Sequence, residues 1–298
     1  QVTGIGVKLS YFKKQPDLFQ PLISGHFAWE EKHMDQLETI RSQFAALVQG
    51  PEESLDLVEG ALLIARMAFP ELIAAVYTER LDRWAENLRH ALGDSPSPGD
   101  ILNGLNRILF EEEGFQGNHQ NYYDPQNSFL NRVMERKLGI PITLSLVYSE
   151  VGRRAGFPVH GISLPGHFIA GVLHASGTLY VDAFNGGEIL TEKECRDMIS
   201  KRYGHWAVAG AHWQTPAGTK TILKRMLRNL KGIYLHLNKD LQSFEMLQWI
   251  LAVDPHAPGE LKERGLLYET MGNSAFAVRD LERYLVLVPD AEDKEKIT

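Results

Sequence analysis

The run from Gly139 to Phe184 constrains the fold more than any other part of the chain. Gly139–Ile140–Pro141 is a tight turn that opens a helix, because proline suits the first helical position. In the "TLSLVYSEVGRRAGF" that follows, Leu144, Val147, Val151 and Ala155 share one helical face, Arg153 and Arg154 sit in the last turn, and Gly156 is the stop. "VHGISLP", "HFIAGVLHA" and "TLYVDAF" are short, alternating or apolar, and bounded by Gly, Pro or Ser. They read as three antiparallel strands with a turn at Ser176–Gly177. A helix followed by hairpin-connected strands implies an α+β core, the helix packed on a small antiparallel sheet.

The flanks are helical. Residues 30–92 predict N-terminal helices: one has Ser54 as its cap and Leu57, Ala61, Ile64, Ala65 and Ala68 at helical spacing. A second is opened by Pro70 and buries Val76, Leu81, Trp84, Ala85 and Leu88. "ALGDSPSPGD" is a connection, "ILNGLNRILFEEEGF" a short helix, and "GFQGNHQNYYDPQNS" loop or turn. In the tail Tyr234 and Tyr268, Leu247 and Leu281, and Pro255 and Pro289 are each 34 residues apart, the period of the tetratricopeptide helix–turn–helix. The second copy carries Gly265, Tyr268, Gly272, Ala277, Leu281, Tyr284 and Pro289; the first is looser, with Lys231 and Ser243 in place of Gly265 and Ala277. Two repeats are too few to stand alone and should lean on the preceding domain. The expected organisation is an N-terminal helical region (1–98), the α+β core (99–218) and helical repeats (219–298).

A net charge of −7 argues against nucleic acid or an anionic membrane as the main partner. No apolar run reaches the roughly 18 residues of a membrane-spanning helix. A single cysteine, Cys195, excludes an intramolecular disulfide and a thiolate zinc cluster, and fits a reducing cytoplasm. The first residues, "QVTGIGVKLSYFKK", carry no initiator Met and no signal-type apolar run, and no targeting conclusion is drawn from them. His160, His167 and His174 are seven apart, but along one strand that separation is roughly 23 Å, so no metal is expected. With no glycine-rich phosphate cradle, no cofactor is expected either.

The residues that could carry chemistry converge on one end of the sheet. His167 begins one strand and Asp182 lies near the end of the next. Antiparallel neighbours can bring the two together, the carboxylate fixing the imidazole's tautomer as in a nucleophile–base–orienter triad. The bland alternative is a pair that merely ties two strands. The helix start after Pro141 offers free backbone N–H groups, with Thr143 and Ser145 as the nearest hydroxyls; such residues are more often caps than nucleophiles. In "YYDPQNSFLN", Tyr122, Tyr123, Asn127, Ser128 and Asn131 would line a cleft if this loop folds over the helix start, with Pro141 and Phe168 beside them. Otherwise Asp124–Pro125 makes a turn, Asn127 or Ser128 caps the next helix, and the tyrosines pack.

These motifs resemble the transglutaminase-like superfamily, and more closely the bacterial SirB-type family that joins such a core to tetratricopeptide repeats; a related module occurs in some eukaryotic F-box proteins. The resemblance rests on "LFEEEGFQGNHQNYYDPQNSFLNRVMERKLGIPITLSLVY", "RRAGFPVHGISLPGHF" and "YVDAFNGGEIL", and with the tail covers most of residues 55–290. It implies a papain-like α+β core and gives His167 and Asp182 the base and orienter roles of a Cys–His–Asp triad. The expected cysteine lies about fifteen residues before Gly156, where this chain has Pro141. Cys195 follows the sheet on what reads as a surface helix, a poor replacement. The leading expectation is a protein- or peptide-binding module, regulatory or adaptor, on a degenerate transglutaminase-like fold. The alternative is an amide or isopeptide hydrolase or acyl-transferase using Thr143 or Ser145 with His167 and Asp182. A third reading leaves the core purely structural, with all binding through the repeats.

Overall fold

A computed structural model describes residues 28–175, 177–204 and 214–297. Ser176, half of the expected turn, and residues 1–27 of the expected N-terminal region lie outside them. Helices α1 (Ala28–Gln49), α2 (Leu57–Arg66), α3 (Ala74–Leu92) and α4 (Pro98–Asn106) come first. The short strand β1 (Gln116–Gly117), helix α5 (Leu130–Arg136) and short strand β2 (Leu138–Gly139) lead into the central helix α6 (Pro141–Arg154). Strands β3 (Val159–Leu164), β4 (His167–Val172), β5 (Leu179–Asp182) and β6 (Glu188–Leu190) form one antiparallel sheet in sequence order. Helix α7 (Glu192–Tyr203) follows, then α8 (Thr219–His236), α9 (Asp240–Val253), α10 (Pro258–Thr270) and α11 (Ser274–Leu287).

The expected α+β core is present, with two additions. β6 is a fourth strand, where Asn185–Gly186–Gly187 read only as the turn ending the Asp182 strand. β1 and β2 pair in parallel inside what read as loop and turn. Two helix starts also differ. The cap of α2 is Asp56, whose carboxylate accepts from the Glu59 N–H, while Ser54 sits in a 3₁₀ turn and donates to the Pro51 carbonyl. α3 begins at Ala74, so Pro70 belongs to the preceding turn, and Val76 is exposed while Leu81, Trp84, Ala85 and Leu88 are buried. Ala68 lies beyond the end of α2 and is exposed.

α6 is enclosed on all sides: every residue from Pro141 to Gly152 is buried. A helix without a polar face must be wrapped by other elements. On one side lies the sheet, where Gly152 lets Val159 approach so closely that a Cβ would collide with it. On the other side, the Tyr148 hydroxyl reaches the Leu102 carbonyl and Asn106 Oδ1, each at 3.0 Å, and Asn106 Nδ2 donates to the Gly187 carbonyl at 2.8 Å. These bonds tie α4, α6 and the loop before β6 into one unit.

The two faces of the sheet carry separate apolar clusters, as strand alternation requires. Phe168, Ala170, Val172 and Val181 join the large core with α6, whereas Ile162, Leu164, Ile169 and Tyr180 meet Cys195 and Ile199 of α7. The large core continues into the first repeat through Ile222, Leu223, Met226, Leu227 and Leu230 of α8 and Trp249 and Ile250 of α9. α1 closes it, with the Phe44 ring 4.6 Å from Trp249. In the second repeat Gly265 lets the Leu281 side chain cross at close range, the physical reason for a small residue at that position.

Candidate functional site

His167 follows the Pro165–Gly166 turn between β3 and β4, where it pairs with Leu164. Gly166 has φ +66°, a left-handed conformation that favours glycine, and the Tyr203 hydroxyl rests so close to it that no Cβ would fit. His167 Nε2 lies 2.7 Å from Asp182 Oδ2. The β4–β5 register pairs Ala170 with Val181, so Asp182 stands diagonally across from His167 rather than directly opposite it. Alternation places both on the face that carries Ile169 and Tyr180.

The Asp182 side chain is 1% exposed, and that of His167 15%. Asp182 also accepts from the N–H groups of Phe184 (3.0 Å) and Asn185 (3.3 Å) and from Asn185 Nδ2 (2.9 Å). Burial works to raise its pKa, but the hydrogen bond and charge of His167, with the Asn185 and Phe184 donors, outweigh burial and hold the carboxyl below its ordinary value. Asp182 therefore also shapes the 3₁₀ turn Ala183–Asn185 that leads into β6.

The candidate nucleophiles are committed elsewhere. Thr143 Oγ1 accepts from the Ile140 N–H (3.2 Å) and lies 2.7 Å from the Asn127 carbonyl and 3.1 Å from that of Ile140, so it serves as a first-turn capping hydroxyl. Ser145 Oγ lies 3.3 Å from the Phe168 carbonyl, a backbone acceptor. Both hydroxyls are fully buried, and neither bonds the His167 ring. Pro141 is buried at the first position of α6.

Cys195 lies after the sheet on α7, a mostly exposed helix as read, but its own side chain is fully buried, because Cys195 and Ile199, one turn apart, form the narrow seam that meets the outer face of the sheet. Burial, then the charges of Asp182, Glu194 and Glu192, push its thiol up to about 12. Since the thiolate is the reactive form, Cys195 is expected to resist iodoacetamide in the folded chain and to alkylate rapidly in urea, which mass spectrometry would read.

Of the residues expected to line a cleft, only the tyrosines are exposed. Tyr122 is 40% and Tyr123 48% exposed, whereas Asn127, Ser128 and Phe168 are buried along with Pro141. Phe168 faces the core because it is one residue out of phase with His167, and Arg225 lies over its ring at 5.4 Å. Neither Asn127 nor Ser128 caps α5; the residue before that helix is Phe129, without a side-chain bond. Asn127 instead accepts from Asn118 Nδ2 and donates to the Asn121 and Tyr122 carbonyls, shaping the loop that carries the tyrosines. Asn131 is buried too.

Several residues at the site carry no local sequence signal. Phe184 lies 4.3 Å from the His119 ring and 6.0 Å from that of Tyr122, and Gly117 allows the Phe184 backbone and ring to approach. Tyr123 stacks on His236 of α8 at 4.1 Å, joining the loop to the first repeat. Arg225, also on α8, donates to the His167 carbonyl at 2.6 Å. Among the described residues no group of three or more His, Cys, Asp or Glu could hold a metal ion, and no helix is long and apolar enough to cross a membrane.

The sequence profile of the transglutaminase-like superfamily matches residues 75–228, and that of the tetratricopeptide repeat matches residues 230–298. The chain is similar to a UPF0162 protein of Xylella fastidiosa, at 38% identity over 83% of this chain and 89% of the relative. A UPF0162 protein of Vibrio cholerae is 27% identical over 80% of this chain and 88% of its own length. F-box only protein 21 of Homo sapiens is 31% identical over 50% of this chain and 24% of its own.

Proposed function

We propose, for a chain that belongs to the transglutaminase-like superfamily in its SirB-type form with tetratricopeptide repeats, that the cleft beside His167 and Asp182 binds a peptide or protein segment. The first repeat helps position that segment, and the role is that of a cytoplasmic regulatory or adaptor protein. One observation carries the reading: both hydroxyls that could replace a thiol are held by backbone groups, while Tyr122 and Tyr123 stay exposed and Tyr123 stacks on His236 of the repeats. Exposed tyrosines suit peptide recognition because each offers a large, rigid contact surface with few rotamers to freeze.

The test is binding of peptides recovered from a displayed random library, measured by fluorescence polarisation. Replacing both tyrosines with alanine is expected to weaken binding about tenfold or more, as loss of an aromatic anchor does. Equal binding by the double variant would remove the cleft from the reading and leave the repeats as the binding surface.

A second reading, an amide or isopeptide hydrolase or acyl-transferase using Thr143 or Ser145, draws on the His167–Asp182 pair, which has the base-and-orienter form of a triad. It requires Thr143 or Ser145 to leave its backbone partner and turn toward the imidazole.

A further inference from the structure

Arg225 reaches from α8 into the β3–β4 turn. Its Nη1 donates to Ser163 Oγ (2.7 Å) and the Leu164 carbonyl (2.9 Å), and its Nη2 to the His167 carbonyl (2.6 Å). A guanidinium has five N–H donors. Three are spent here, both of those on Nη1 and one on Nη2. The Nε–H and the second Nη2–H have no acceptor among the described residues, and these two atoms make the edge that grips a carboxylate in a fork.

No carboxylate among the described residues pairs with Arg225. Three residues further along α8, Arg228 holds Glu260 in such a fork, at 2.7 and 3.0 Å. Arg225 is half-buried against the Phe168 ring; burial pulls its pKa down, and among the described residues only the Tyr122 and Tyr203 hydroxyls work the other way. A half-buried cation with no counter-charge is costly unless an anion completes it. Asp182, the buried carboxylate of the strands, is already occupied by His167, Asn185 and the Phe184 N–H.

We propose that this unspent edge of the Arg225 guanidinium, near Tyr122 and Tyr203 and anchored on the His167 carbonyl, takes the carboxylate of a bound peptide, either an Asp or Glu side chain or a free C-terminus. The proposal rests on the peptide-binding reading above and names the chemistry of the peptide. Arg225 is the specificity-determining residue, and its three existing bonds fix the guanidinium before the ligand arrives.

The test pans a random peptide library, displayed with free and with blocked C-termini, against the full chain and against Arg225→Gln. The full chain is expected to select peptides with an acidic residue or free C-terminus at one fixed position. Arg225→Gln should lose that preference and bind the selected peptide about tenfold more weakly or worse, the loss of a charge-assisted fork. Arg225→Gln also removes bonds to the turn, so two further variants separate charge from support. Ser163→Ala drops one of those bonds and should keep the acidic preference; Arg225→Lys keeps the charge but not the fork and should bind at an intermediate level. Peptides selected without acidic preference, or bound equally by Arg225→Gln, would overturn this inference and leave peptide binding standing. Recovery of no peptides would overturn both. If inorganic phosphate displaced the peptide far better than acetate at equal ionic strength, Arg225 would mark a phosphate site and the carboxylate assignment would fall.

Discussion

Asp182→Ala is expected to lower unfolding stability by about 3 kcal/mol, within the range for leaving several buried hydrogen-bond donors without their acceptor. The carboxylate accepts from the His167 ring, two backbone N–H groups and the Asn185 amide, and its removal strands all of these donors in a place water barely reaches. A shift in urea midpoint at unchanged slope is the readout. The loss should depend on pH in a defined direction. Asp182 has a folded pKa below its unfolded value of about 3.9, so its contribution is complete above that pH and fades as pH falls through the folded pKa. The gap between wild type and Asp182→Ala should therefore be widest near neutrality and narrow progressively below about pH 4. A gap independent of pH would mean that the residue contributes through packing rather than charge.

Arg264→Ala is expected to cost about 3–5 kcal/mol, concentrated in the second repeat. Arg264 Nε and Nη2 grip the two oxygens of Asp280 at 2.5 and 2.9 Å, and Nη1 donates to Gln248 at 2.7 Å. The Asp280 side chain is wholly buried, so alanine at 264 leaves an uncompensated charge between α10 and α11. Arg279, 3.6 Å away and half exposed, is a poor substitute. Hydrogen exchange should accelerate across residues 258–287 before it does so in α6. The pair Arg264→Met with Asp280→Leu should recover much of the loss, because a buried ion pair is often replaceable by apolar groups of similar volume. Wild-type exchange in Arg264→Ala would show that the repeat is held by apolar packing alone.

Much of this fold is written locally. The strands around Val159, His167 and Leu179 are bounded by Gly and Pro, and the repeat announces itself through its period. β6 was not legible because it is three residues long with one buried side chain, and β1 and β2 because two-residue bridges leave no pattern. The burial of Cys195 was hidden for a related reason: α7 is polar overall, and a two-residue seam is too narrow to read as an amphipathic face.

At the site, His167 and Asp182 were legible because they sit on neighbouring antiparallel strands. The orientation of Phe168 follows from alternation once the strand phase is known, but phase depends on which face meets α6. Arg225 and His236 could not be found this way. They are ordinary members of an amphipathic helix until the fold brings α8 against the β3–β4 turn and the tyrosine loop, 58 residues from His167 in one case.

The most direct test of binding rather than catalysis is intact-mass spectrometry of the chain and a tightly bound peptide after prolonged incubation. The account predicts that the peptide remains bound and both masses are unchanged. Cleavage of the peptide, or an acyl adduct on Thr143 or Ser145 that disappears in His167→Ala, would contradict it and make the His167–Asp182 pair the engine of an enzyme.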